Sequence, residues 1–534
     1  MKRSFISIAT TVMLILSLSL SLNVSAAILD SETENISYIE SEYSNNFSIS
    51  DAPADNINSV TLFSNSEFDE IEPSEYMGRK IISKMDNGDF LLKIYDKMVE
   101  CGESVCDLTP EPVTLSATHK EYQIFANEQN RQIIMEAYHN DYPQHFYYNS
   151  ICYAVSYYPS TEEYIITFIP MIDKIEISTA QREAIIKMRD AFEKRVSQLI
   201  EKLEISNDMS DFEKAIILHD ELLYSIDYEE VENSHNAYGA IIGQGGTFNK
   251  AVCEGYARAY QYLLYKVGVL SHIATGTGNG GAHAWNYVCI GGKWYHTDLT
   301  WDDPVGADDI FYTYFNLSTE QIENLNHEVD MLYPEIECTN TDDNYYKKYN
   351  CILYSEYSNT DISDGEDALL QSIATQLESS NRARIYNADS MDGDSILNWL
   401  KANYSSIKEM INDDSVKEKL SNIQVAAYAN GECHLIFFDI NYDQNRNLKS
   451  SVTADKNGYV SIINNSENTL KLLRIFYNNG IITDTEICEV SQTLYSCLNL
   501  QRTILHKEYD DIKYFLWDKE NGFIPICNMY EVKY

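Results

Sequence analysis

Residues Lys250–Gly268 read KAVCEGYARAYQYLLYKVG, Thr275–Ala282 read TGTGNGGA, and His283–Pro304 read HAWNYVCIGGKWYHTDLTWDDP. In the first run Ala257, Tyr260, Leu264 and Val267 recur at three- and four-residue intervals. That spacing predicts an amphipathic helix over Glu254–Val267. Gly268 follows where a helix stop is expected. Cys253 therefore stands at or just before a first helical turn. Unpaired backbone N–H groups and the positive end of the helix dipole favour a thiolate over a thiol at such a place.

The third run predicts two strands joined by Gly291-Gly292, a favoured two-residue hairpin loop. With that loop Ile290 faces Lys293, His283 falls opposite Thr300, and Trp285 falls opposite Asp298. Cross-strand partners share a face, as do residues two apart on one strand. His283 and Asp298 are then diagonal neighbours on one face. A loop one residue longer or shorter would send them to opposite faces. Thiol, imidazole and carboxylate make a nucleophile, a base and an orienting group, suited to attacking an amide or ester carbonyl through a thioester.

In their order, VCEGYARAY, HAWNYV and KWYHTDLTWDDP resemble the three motifs of the transglutaminase-like superfamily, especially its secreted bacterial members. The resemblance puts the nucleophile at Cys253, the histidine at His283 and the aspartate at Asp298. It implies a papain-like core in which a cysteine-bearing helix packs on an antiparallel sheet, with peptidase, transglutaminase or amidase activity. It extends upstream through DFEKAIILHDELLYSIDY (Asp211–Tyr228) and downstream through YTYFNLSTEQIENLNHE (Tyr312–Glu328). The lead-in GAIIGQGGTFNKAV departs from the family pattern, being longer and richer in glycine. The Cys253 backbone N–H is the natural first oxyanion donor. Gln244 is a candidate for the second, with a plain loop role as its alternative. Trp285 and Trp301 are expected to wall the cleft, with packing as the alternative for Trp301.

Other residues compete for these roles. His296 shares the hairpin face with Asp298 and is a rival base, but the resemblance of HAWN selects His283. His219 and His272 read as ordinary histidines, and Cys289, on the same face, reads as a packed strand thiol. Cys253, His283 and Asp298 are permissible zinc ligands, yet no C-x-x-C or H-x-x-x-H spacing accompanies them. Neither a metal nor a cofactor is expected.

Around this core the chain divides by composition. A basic start and an apolar run from Phe5 to Leu22 read as a signal peptide over 1–26, cleaved near Ala26. Residues 27–75 read as a disordered acidic leader, since Ile28–Glu75 has no Lys, Arg or His. The expected fold class is α+β. An N-terminal α/β pre-domain (76–205), with a long helix over Ala180–Leu203, precedes the papain-like transglutaminase core (206–340). A small α/β domain (341–445) and a β-sandwich-like C-terminal module (446–534) follow.

The formal net charge of −43 argues against nucleic acid and against an anionic membrane surface. It fits a soluble extracellular protein with protein or peptide substrates, and a solvated surface is the plain alternative. The 41 tyrosines suit core and strand positions; glycan contact at a cell wall or cell surface through the accessory domains is the further expectation. Eleven cysteines leave at least one thiol unpaired. Cys101 with Cys106, and Cys338 with Cys351, could close small loops, leaving Cys253 free. The sequence thus reads as a secreted cysteine-dependent acyl-transfer enzyme acting on peptide or glutamine amide carbonyls, with peptide hydrolysis favoured. Protein cross-linking by a transglutaminase is one alternative. A non-catalytic extracellular binding or scaffold protein that keeps the fold is the other.

Overall fold

The structure is a computed structural model that describes residues 34–42, 48–49, 70–243, 249–303, 311–332, 334–348 and 351–353. It then describes 362–380, 382–386, 393–414, 417, 423–427, 432–437, 450–454, 456, 458–464, 470–490, 495–499, 509–518 and 524–534. The signal peptide over 1–26, most of the leader and Gln244 lie outside the described residues.

Strand β1 (Glu34–Glu42) is followed by helices α1 (Met77–Ser83) and α2 (Gly88–Ser104), strand β2 (Val113–Ala117), and helices α3 (His119–Ala126) and α4 (Glu128–Asp141). Strands β3 (Ser150–Tyr158), β4 (Glu163–Ile172) and β5 (Ile175–Glu176) complete this part. The sheet runs β1-β3-β4-β2 with β5 added to β4, every pair antiparallel. Strand β1 corrects the reading of 27–75 as uniformly disordered. Its neighbour β3 offers a free row of backbone groups, and pairing there packs Ile39 against the core. The expected long helix is α5 (Thr179–Lys202). Ser178 and Gln181 cap it reciprocally, and Ile185, Met188, Phe192, Val196 and Leu199 bury one stripe.

The next elements are α6 (Asp211–Ser225), β6 (Ile226–Tyr228), α7 (Ala237–Ile242), β7 (Asn249–Ala251) and α8 (Cys253–Lys266). After them come β8 (Ser271–Gly278), β9 (Gly281–Ile290), β10 (Lys293–Thr297), α9 (Thr319–Asn324) and β11 (His327–Val329). The antiparallel sheet runs β10-β9-β8-β11. Helix α8 stops at Gly268, whose φ is +80°. There Gly268 N–H reaches the Tyr265 carbonyl and Val269 N–H the Leu264 carbonyl, the paired bonds of a Schellman stop. Lys293 pairs with Ile290 across Gly291 (φ +56°) and Gly292 (φ +81°), both left-handed as a primed hairpin turn requires. The ladder ends where Thr297 meets Asn286. Asp298 then leaves the strand and donates its N–H to the Tyr314 carbonyl. The expected pairings of Asp298 with Trp285 and of Thr300 with His283 are therefore not ladder pairs.

Helix α8 packs between α6 and the sheet. Tyr260 donates to the Ala215 carbonyl on one side, and the Asn286 amide donates to the Ala257 carbonyl on the other. One apolar cluster runs from Tyr76 through α5 and α8 to Tyr295, so residues on both sides of position 205 bury against each other. Each fully buried large side chain in it contributes about 1.5–3 kcal/mol. Polar bonds join the same surfaces: Arg258 Nη1 donates to the His139 carbonyl and Gln261 Nε2 to the Asn140 carbonyl, both at 2.6 Å.

Beyond residue 351 a mixed sheet combines Ile352–Leu353, Arg382–Tyr386, Glu432–Phe437 and Ile423–Ala427. Its apolar cluster includes Leu369, Ile373, Leu377, Ile385 and Ile407. The last described residues form two further antiparallel sheets that share Val452, Ile462, Leu472, Phe476, Ile512 and Leu516. The architecture is mixed α+β. Cys101, Cys106, Cys338 and Cys351 form no disulfide, so neither of the small loops the sequence allows is bridged. Cys101 lies on α2 fully buried in the apolar core. No described helix is long and apolar enough to cross a membrane.

Candidate active site

Cys253 is the first residue of α8 and is half-buried. The N-cap, Val252, offers no side-chain acceptor, so the first-turn N–H groups are left to other partners. Glycine at 255 lets this turn sit hard against the preceding loop: a Cβ there would come 2.2 Å from the Ser234 carbonyl oxygen. Val252 N–H donates to that same oxygen at 3.0 Å. The short parallel pair of β6 and β7 sets Tyr228 beside Ala251, two residues ahead of the cysteine.

His283 comes from β9. Its Nε2–H donates to Asp298 Oδ2 at 2.6 Å, and the Cys253 side chain is near enough to bear on the titration of the ring. With Nε2 engaged by Asp298, Nδ1 is the nitrogen left to serve sulfur. The ring packs against Trp285 (centroids 5.7 Å apart, 21° between planes) and against Trp301 (5.8 Å, 54°). Trp285 is buried, while Trp301 is half-buried.

Asp298 is fully buried and its carboxylate is saturated. Oδ1 accepts from the Thr300 and Trp301 amides at 2.9 and 3.3 Å. Oδ2 accepts from His283 and, at 2.9 Å, from Nε2 of His327, the first residue of β11. Burial works against a charge on His283, but the charge and hydrogen bond of Asp298, followed by Cys253, push it up to about 10. Burial likewise works against ionising Asp298, and His283 with His327 outweighs it, holding the acid at about 2. The arrangement is a sulfur beside an imidazole whose positive charge is favoured by the buried carboxylate bonded to it.

The rival residues have other occupations. His296 accepts at Nδ1 from Trp285 Nε1–H over 3.0 Å, so its proton sits on Nε2, toward Thr319 Oγ1 at 3.2 Å. Burial and the charge of His327 push it down to about 3, which leaves a neutral packed ring. His219 is fully buried between Asp220 and Asp302, and His272 is fully buried beside Asp141. Cys289 pairs across the ladder with Trp294, near the hairpin turn and away from His283. Burial pushes its thiol up.

Sequence reasoning missed His327 and Tyr228 as neighbours of the site, although both lie inside the flanking runs that resemble the family. Donor atoms of His283, Asp298 and His327 all lie within 4.8 Å of one another, the spacing of a metal site. Both imidazole nitrogens there already engage Oδ2, and hydrogen bonding accounts for the cluster.

A model of the transglutaminase-like superfamily matches residues 199–299, an interval that contains Cys253, His283 and Asp298. No curated protein matches the chain. Among solved structures, one described as "Crystal structure of a TGase" aligns over 42% of this chain and 60% of its own, at 13% identity and a TM-score of 0.20.

Proposed function

We propose, from the premise that residues 199–299 make this chain a member of the transglutaminase-like superfamily, that it is an exported cysteine acyl-transfer enzyme acting on peptide or glutamine amide carbonyls. One observation carries the reading: His283 bonds buried Asp298 through Nε2 at 2.6 Å and has the Cys253 thiol as a neighbour that bears on its titration. The sulfur of Cys253 attacks the carbonyl carbon. His283 gives its proton to the departing amine as the thioester forms, and Asp298 fixes the ring and offsets its charge. Trp285 stacks on the ring, Trp301 packs against it at a tilt, and together they keep water from it. Peptide hydrolysis is the favoured outcome, since water needs no acceptor site of its own. The basic start and apolar run at the N-terminus support export, and the residues beyond 351 are the part available for glycan contact at a cell surface.

The test is iodoacetamide labelling across pH, read by mass spectrometry. Selective modification of Cys253 that persists into acid and collapses in His283→Ala supports the enzyme. Labelling of Cys253 no faster than Cys289 overturns it and favours a binding module. Incubation with dansylcadaverine and a protein mixture then separates the outcomes: incorporated fluorophore means transfer to amines, and new short peptides mean hydrolysis.

A further inference from the structure

On the acyl-transfer reading the place of one carboxylate decides how His283 is held, and the inference rests on that reading. Asp298 stands one residue beyond the last ladder pair, so no strand partner fixes it. Backbone bonds of the following turn hold it instead. Asp298 N–H donates to the Tyr314 carbonyl at 3.0 Å, and Asp302 N–H donates to the Asp298 carbonyl at 3.2 Å. The Asp302 side chain completes the ring of bonds, since its Oδ1 accepts from Tyr314 N–H at 2.9 Å. Tyr314 thus grips both ends of the turn, residue 298 by its carbonyl and residue 302 by its amide. Asp302 is fully buried, and a buried carboxylate needs a cationic partner as well as amides. Helix α6 brings one. His219 Nε2 lies 3.3 Å from Asp302 Oδ2, and its Nδ1 lies 2.9 Å from Asp220 Oδ1. Asp220 Oδ2 accepts from the Tyr312 hydroxyl at 3.0 Å, and the Tyr312 ring stacks on His219 with centroids 5.5 Å apart. Burial works against a charge on His219, but Asp220 and Asp302 push it up to about 9. The imidazole therefore bridges two acids as a cation, with all three side chains closed to solvent.

We propose that His219 and Asp302 are positioning residues for the acyl transfer: the buried row Asp220–His219–Asp302 fixes the turn that presents Asp298 to His283. Neither side chain touches the reacting atoms. Their influence passes through the backbone of residues 298–302 and through Tyr314. Helix α6 also receives the Tyr260 hydroxyl of α8 at the Ala215 carbonyl, 2.9 Å away. One helix thereby braces both the cysteine helix and the carboxylate turn, and sets the spacing between them. Truncating Asp302 releases the Tyr314 amide, strips His219 of one counter-charge and lets the turn drift. A drift of roughly 1 Å at Asp298 lowers the rate about 10²-fold and leaves substrate binding as it was.

The experiment follows acylation of Cys253 by p-nitrophenyl acetate in the full chain, as release of p-nitrophenolate. Asp302→Ala is expected to lower kcat about 10–100-fold with KM within about twofold of the parent. Asp302→Asn keeps an oxygen for the Tyr314 amide and an N–H for His219, and should regain most of the loss. In an Asp298→Asn background, Asp302→Ala should cost less than about threefold, because the carboxylate it positions is already gone. Unchanged kcat in Asp302→Ala overturns the inference, as does a rise in KM alone. An equal loss in both backgrounds also overturns it, since Asp302 would then act by a route other than Asp298. Should Asp302→Ala fail to fold by circular dichroism, His219→Gln takes its place with the same expected split, because it fills the space while breaking the row. Loss of the fold in both variants overturns the inference by making the row a support of the whole core. A parent that iodoacetamide alkylates at Cys253 yet never acylates sinks the acyl-transfer reading itself, whereas an active parent with indifferent variants sinks only the brace.

Discussion

His327 sets its Nε2 2.9 Å from Asp298 Oδ2, the oxygen that His283 already holds at 2.6 Å. One carboxylate oxygen is thus clamped by two imidazoles. Removing one hydrogen bond to a charged group costs about 1.5–3 kcal/mol. His327→Ala is therefore expected to lower kcat/KM for p-nitrophenyl acetate about 10–100-fold. His327→Gln, which keeps an N–H donor, should recover part of the loss. Equal rates in all three proteins would show that His327 only fills space.

The pH dependence follows from His283. Its titration is raised to about 10 in the folded chain, so the stabilisation from its pairing is complete below the ordinary histidine value of about 6.5. That stabilisation is lost as pH rises through about 10. Asp298 is held at about 2, so its share is lost only as pH falls toward that value. The upper limb of the pH–kcat profile is expected near pH 10, where the leaving group loses its proton donor. In Asp298→Asn that limb should move down toward about 6.5. An upper limb that stays in place would break the link between the two residues.

Gly255→Ala tests how tightly the cysteine turn is seated. The added methyl carbon falls 2.2 Å from a backbone oxygen of Ser234, which cannot swing aside as a side chain does. The turn must lift, and a displacement of roughly 1 Å at a reacting atom costs about 10²-fold in rate. Alkylation of Cys253 and the thermal midpoint should fall together in this variant. A fast, stable Gly255→Ala protein would mean that the loop at Ser234 yields.

His296→Leu separates the rival imidazole from the one proposed to act. It strips the acceptor from the buried Trp285 Nε1–H, which costs about 1–3 kcal/mol of stability, readable as a lower urea midpoint. The pH profile of Cys253 alkylation should keep its shape. A lost limb would instead make His296 part of the proton path.

The shared face of His283 and Asp298 was legible because strand periodicity leaves only two answers, and the Gly291-Gly292 turn chooses between them. The place where the ladder stops was not legible. It depends on Asp298 Oδ1 drawing in the Thr300 and Trp301 amides, a local competition that alternation does not encode. His327 lay within a quoted run, but β11 is three residues long, too short to show a pattern, and it meets β8 only through the fold. The glycine at 276 was equally visible without its reason: a Cβ there would come 2.0 Å from the Glu328 carbonyl oxygen, closing the path of the strand that brings His327. Strand β1 was hidden for a similar cause, since composition reports solubility and says nothing of an open strand edge more than a hundred residues downstream.

The bonds from Arg258 and Gln261 to the carbonyls of α4 reach well outside the interval that marks the family. A fragment trimmed to residues 199–299 would strip both side chains of their acceptors, bare the apolar flank of α8 and drop His327 altogether. The span by which kin are recognised is therefore narrower than the body that has to fold. Expression limits for this protein belong ahead of Ile71, whose N–H already closes on the Tyr265 carbonyl at the far end of the cysteine helix.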